Sequence, residues 1–184
     1  MGAFLDRIAE RTPAPGGGGA CAVTIGMAAA LVAMAARYSG KQLPDADALA
    51  TEADELRADA LPLVQADADA YGELLAAFRD RSEGRGERVA VASRRACDVP
   101  LRMTDVAART ANLAVTVASR GNPNLRGDAT TAALLCAAAS RSAAHLVRIN
   151  VAGGGLDPQL LEAAGRNATA AATAAEQLEG AEET

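Results

Sequence analysis

Aromatic side chains are nearly absent: the 184 residues include two Phe, two Tyr and no Trp. Half of the residues are nevertheless apolar, with Ala in the lead and Val, Leu and some Met behind it. A core of that kind must be filled by closely spaced small side chains, which suits helices, whereas strands favour bulkier residues. Period-two alternation and β-branched runs are missing too, which argues against a sheet. No lysine or arginine cluster occurs, and the formal charge is −5 with a pI near 4.9. The phosphate backbone of a nucleic acid is therefore a poor partner.

Cysteine and histidine are equally sparse. The three cysteines, Cys21, Cys97 and Cys136, are odd in number, far apart and without a second Cys at metal-ligand spacing. They read as buried small apolar residues in a reducing, cytoplasmic setting. His145 is the single histidine, and with no partner beside it in sequence it reads as a core or surface residue rather than a catalyst. Charge is absent between Arg11 and Arg37. A membrane span needs about 20 strongly apolar residues, but this stretch opens with Pro13, Pro15 and a run of glycines and continues largely as Ala. Asp6 and Glu10 stand where a secretory leader carries basic residues, so neither membrane nor export is expected. The sequon at Asn167 falls inside a predicted helix and carries no weight.

What remains is helical patterning. Residues 3–10 place Phe4, Leu5 and Ile8 on one face. Residues 20–38 read as a buried helix with Val23, Met27, Leu31 and Met34 at steps of three and four, and Gly40 as a stop signal. A long pattern over residues 45–80 contains Pro62 as a kink or break, and residues 81–87 read as a charged loop. Helix resumes over 88–119, interrupted at Pro100, and stops at the Gly121, Asn122, Pro123, Asn124 turn. Residues 128–149 form the most apolar, central helix, ended by Gly153 to Gly155. Asp157 with Pro158 then starts a last helix that runs to about Leu178 and fades into an acidic tail. The expectation is one all-α domain over residues 1–184, an antiparallel bundle of five to six helices.

Three segments carry candidate chemistry. Residues 13–19 precede a helix, so the amides of Gly16, Gly17 and Gly18 could hold a carboxylate or phosphate. A turn that allows close helix approach explains the same glycines, and no Walker lysine and hydroxyl pair follows them. Asp67 and Tyr71, four residues apart, share a helix face, with Asp69 turned away. If that face points inward, desolvation raises the Asp67 pKa and suits it to acid/base work near neutrality; a solvated face is the alternative. The segment from Gly121 to Asp128 supplies Asn122, Asn124, Arg126 and an N-capping Asp128. Capping accounts for Asn124 and Asp128, while a pair of amides could equally read the donors and acceptors of a heterocycle.

Taken together, the segments resemble the cyclodeaminase and cyclohydrolase family of folate enzymes. The landmarks run in order over nearly the whole chain: Phe4-Leu5 before the Pro13 to Gly18 turn, Gly40-Lys41, Asp67 to Tyr71, Val99-Pro100-Leu101, Gly121 to Asn124 with Asp128, and Ile149-Asn150. The resemblance implies an all-α homodimer with a tetrahydrofolate derivative as substrate and no metal or redox cofactor. It implies that Asp67 is the catalytic acid/base and that Lys41, Asn122 and Asp128 line the site, where Asp128 is expected to give electrostatic support. Lys41 and the amides of Gly16, Gly17 and Gly18 would hold the folate tail, with Tyr71, Asn122 and Asn124 as further substrate-binding candidates. Two reactions fit: cyclodeamination of a formimidoyl derivative with loss of ammonia, and hydrolytic opening of the methenyl ring. The chain departs from the family pattern at Gln42, at Gly127 in place of Ser and at Leu146 in place of Asn. Those departures keep a second reading open, a non-catalytic helical dimer that binds a folate-like or other small anionic ligand.

Overall fold

The computed structural model describes residues 1–180, so the end of the acidic tail, residues 181–184, lies outside the described residues. Among the described residues there are seven α-helices, one short 3-10 turn and no strand: α1 Gly2–Ala9, α2 Gly17–Arg37, α3 Ala46–Ala60, α4 Leu63–Arg79, α5 Arg85–Arg120, the turn Pro123–Leu125, α6 Arg126–Gly154 and α7 Gln159–Gly180. The bundle is made by the six helices α2 to α7. The short α1 buries no residue and reaches α2 through Phe4, which lies beside Gly19.

Contacts at both ends fix the helix directions. Asn150 near the end of α6 bonds Ala96 near the start of α5, so these two run antiparallel. Asn122, just before α6, bonds Tyr38 and Ser39 at the end of α2, while the start of α2 shares a groove with Ser142 and His145 far along α6. Helices α2 and α6 are thus antiparallel as well. Pro62 acts as a full break, and α4 starts afresh at Leu63. Pro100 does not interrupt its helix: α5 passes through it unbroken for 36 residues. Asp157 caps α7 as expected, its Oδ1 accepting from the Gln159 N–H at 2.9 Å. Asp128 is no cap. The 3-10 turn leads straight into α6, whose N-cap is Leu125, and Asp128 sits in the first turn.

The orientation of α2 corrects the sequence reading. The stripe Val23, Met27, Leu31 and Met34 was expected to face the core, but all four are partly buried or exposed, with Met27 43% accessible. The buried face is Cys21, Ala22, Ile25, Ala28, Ala29, Val32, Ala33, Ala35 and Ala36. Helix crossing distances explain the inversion: α2 is wedged against α3, α4, α5 and α6, and side chains as small as Ala let so many helices approach it at once. Ile25 and Val32 fill what space remains, Met27 turns outward, and Val23, Leu31 and Met34 lie at the margin. Helix α2 also has the length and hydropathy to cross a membrane, yet 61% of its most apolar window is buried in the bundle.

A core so rich in Ala has little space to lose. Ala111 on α5 is fully buried within it, and a larger residue there must push helices apart. Ala111→Leu should lower unfolding stability by about 1–3 kcal/mol, the usual range for overpacking, as read from urea denaturation at constant slope.

Candidate active site

Helix α2 starts three residues earlier than its pattern predicts, so Gly17, Gly18 and Gly19 form its first turn rather than a loop before it. The reason lies across the turn. A Cβ built on Gly18 would overlap the Asp67 carboxyl, with Oδ2 at 2.5 Å and Oδ1 closer still. Only glycine admits that carboxyl to the helix end. Asp67 belongs to α4 and accepts a hydrogen bond from the Gly19 N–H, one of the amides a helix start leaves unpaired.

Burial pushes the Asp67 pKa above the ordinary carboxylate range, and the Gly19 N–H pulls it partly back. The inward-facing alternative for this residue therefore holds. The carboxyl lines a cavity of about 190 Å³ that also touches Gly16, Gly18, Tyr71, Leu146 and Asn150. A second groove of about 670 Å³ begins on the other side of the same helical turn, at Gly17 and Cys21, and extends between α6 and α7 past Arg141 and His145. Leu146 borders both spaces. The single histidine is therefore an exposed groove residue. All three cysteines are buried and free. Burial raises each thiol, Cys136 up to about 12, and the charge of Asp67 adds to the effect on Cys21.

The remaining candidates lie elsewhere. Lys41 follows the far end of α2, and Asn122, Asn124 and Asp128 sit where α5 turns into α6. Asn122 is bonded there at three points: its N–H donates to Ser39 Oγ at 2.9 Å, its Nδ2 donates to the Tyr38 carbonyl at 3.2 Å, and its Oδ1 accepts from the Asn124 N–H at 3.0 Å. Gly121 is needed beside it, because a Cβ would meet Ser39 Oγ at 2.6 Å. At 1.5 Å per residue, the length of α2 puts roughly 30 Å between this cluster and Asp67. Within one chain the residues expected to line one cleft thus fall into two separate groups, one at each end of α2.

The cavity at Asp67 has a wall that the sequence candidates missed, formed by Ala96 on α5 and by Leu146, Ile149 and Asn150 on α6. A signal was available. Proline inside a helix frees the carbonyl four residues earlier, and Pro100 frees that of Ala96, which then needs a donor from another helix. Asn150 Nδ2 supplies it at 2.6 Å.

The family model described as formiminotransferase-cyclodeaminase matches residues 1–172. The chain belongs to that family. It is 33% identical over 162 residues to a methenyltetrahydrofolate cyclohydrolase of Methylorubrum extorquens, covering 82% of this chain and 78% of that protein. Its fold matches the crystal structure of formiminotetrahydrofolate cyclodeaminase from Thermotoga maritima with a TM-score of 0.89 at 26% identity, covering 98% of this chain and 93% of the other. Membership in the formiminotransferase-cyclodeaminase family accounts for the all-helical architecture seen here.

A raised carboxyl pKa has a thermodynamic sign. The folded chain binds the Asp67 proton more tightly than the unfolded chain does. This group's contribution to stability is therefore complete at acid pH, below the ordinary carboxylate pKa, and is lost as pH rises through the raised value. Asp67→Asn keeps an acceptor for the Gly19 N–H and carries no charge. Its melting temperature relative to the unsubstituted chain should rise between pH 4 and pH 7; a constant difference would show that Asp67 titrates normally.

Proposed function

We propose that the chain is a tetrahydrofolate enzyme that works at the one-carbon unit between N5 and N10, with Asp67 as its acid/base group. One observation carries this reading: a single carboxyl held at a helix start with its pKa raised, facing a small cavity. A carboxyl whose pKa is raised keeps its proton to higher pH than an ordinary one, the property that acid/base work requires. In hydrolysis, water adds to the methenyl carbon and passes a proton to Asp67; one of the two bonds from that carbon to nitrogen then breaks, the departing nitrogen taking this proton back while the hydroxyl loses its own to solvent and becomes the formyl oxygen. In deamination, N10 closes onto the formimidoyl carbon and Asp67 protonates the departing nitrogen. Neither route calls on a metal or redox cofactor. The relative at 33% identity is a cyclohydrolase, and that favours hydrolysis as the first activity to test.

Volume decides where the rest of the substrate goes. Pockets for molecules of drug size measure about 300–1,000 Å³, so the cavity of about 190 Å³ takes the reacting centre alone. The body of the molecule extends into the adjoining groove of about 670 Å³, where Arg141 offers a cation to its carboxylates and Ala and Leu side chains face its rings.

The chain works as a homodimer in this reading. The outward stripe of α2, together with Leu134 of α6 at 39% accessibility, is an apolar surface along a helix with no charge between Arg11 and Arg37. A second copy is the occupant that also completes the site. If two α2 helices cross antiparallel about a two-fold axis, the Lys41, Asn122 and Asp128 end of one chain meets the Asp67 end of its partner. Lys41 then reaches the substrate from the second chain, as does the electrostatic support of Asp128.

Two measurements test these statements. Loss of methenyltetrahydrofolate absorbance and release of ammonia from formimidoyltetrahydrofolate, followed side by side, assign the reaction. In whichever assay responds, Asp67→Asn should reduce turnover by about 10² to 10⁴, the span of an acid/base group; turnover like that of the unsubstituted chain would remove Asp67 from this role. Subunit mixing tests the shared site. Asp67→Asn and Lys41→Ala chains, each impaired alone, should regain about a quarter of full activity when unfolded and refolded together, since half the random dimers then hold one intact site. No recovery would place both residues in the same chain's site.

A further inference from the structure

Pro100 stands in the interior of α5 and has no N–H to give. The Ala96 carbonyl is left without its intrahelical donor. Ala96 is 8% accessible, so water cannot easily replace that donor, and the carbonyl is met instead by Asn150 Nδ2 from α6 at 2.6 Å. The bond settles which way the amide faces. Its nitrogen must point at a carbonyl, so its oxygen is the atom left over, and an amide oxygen only accepts. Among the described residues none donates to Asn150 Oδ1. Asn150 and Ala96 both line the cavity that contains Asp67.

We infer that Asn150 Oδ1 is a second, uncharged acceptor at the reacting centre, oriented by the carbonyl that Pro100 frees, and that it holds the group which adds to or leaves the one-carbon unit. This role rests on the folate reading above. In the hydrolytic direction the water oxygen forms the new bond to the methenyl carbon. One of its protons passes to the Asp67 carboxylate, and the other stays on oxygen, directed at Asn150 Oδ1. Two acceptors set at different walls of a small cavity fix both hydrogens of a water and so aim its lone pair. When nitrogen is the departing atom, its remaining N–H takes the same place while Asp67 supplies the proton. A neutral acceptor matters, because a second carboxylate would hold Asp67 protonated by like-charge repulsion.

A double-substitution cycle separates this role from a merely structural one. Asn150→Ala alone should lower the melting temperature, by orphaning the Ala96 carbonyl, and lower kcat by roughly tenfold to a hundredfold, somewhat less than a proton-transfer group. Pro100→Ala restores an N–H for Ala96. The Pro100→Ala/Asn150→Ala chain should therefore recover its melting temperature but keep the loss in kcat, with KM within about threefold. Recovery of turnover together with stability, or an Asn150→Ala chain with undiminished kcat, would overturn the proposal. Asn150→Asp adds an independent readout, moving the acidic limb of the kcat/KM profile to higher pH; an unmoved limb counts against contact at the reacting centre. Turnover by the unsubstituted chain tests the folate reading by itself: its absence with both folates defeats that reading, whereas its presence leaves the cycle to judge Asn150.

Discussion

The contact between the Asp67 carboxyl and the bare Cα of Gly18 is the constraint on which the site depends. It demands that α4 approach the first turn of α2 more closely than any side chain on that turn permits. Pro62 serves the same approach by ending α3 and letting α4 set out on its own line, while Leu61 in that break packs near Gly26 further along α2. Once seated, the carboxyl feels two opposed effects. Removal from water favours the protonated form; the Gly19 N–H and the positive end of the helix favour the charged one. A group balanced in this way exchanges a proton more readily than one fixed by an arginine.

The core shows why so little aromatic bulk is enough. Ala at Ala28, Ala29, Ala35 and Ala36 lets α2 sit in contact with four neighbouring helices, and the close approach makes up in packing what each side chain lacks in area. Met27 faces outward, with Val23 and Met34 half-buried beside it, along the same helix whose two ends carry the two groups of candidate residues. In the dimer proposed above, assembly and chemistry would be linked through one element: the surface available for a second copy lies between the groups that a second copy would bring together.

Much of the fold could be read from residue pattern, and some of the site. The helices, the break at Pro62 and the Asp157 cap follow from local rules that act within a few residues. The face of α2 could not be read that way, because a helix apolar nearly all round offers more than one apolar stripe, and periodicity does not say which of them meets the crossing helices. The same limit applies to the glycines. Gly17 to Gly19 look like a loop in sequence, and only the carboxyl arriving from residue 67 makes helical glycine necessary there. Asn122 shows the converse: its amide resembles a ligand-binding group, yet all of its local bonds hold α5, α6 and α2 together.

The departure at Leu146 can be weighed on the same physical terms. Leu146 and Asn150 are four apart on α6 and so share a face, and both line the Asp67 cavity. An apolar residue at 146 removes a polar contact from the wall between the cavity and the groove, and it also keeps water from Asp67, which acts in the direction of the raised pKa. The amide one turn further on, at Asn150, is retained and held in place by the carbonyl that Pro100 frees. The cavity thus keeps one carboxyl and one neutral acceptor, which on the proposed reading would serve addition to, or loss from, a one-carbon centre. What the change at 146 alters is the wall shared with the larger groove, not the carboxyl or the amide themselves.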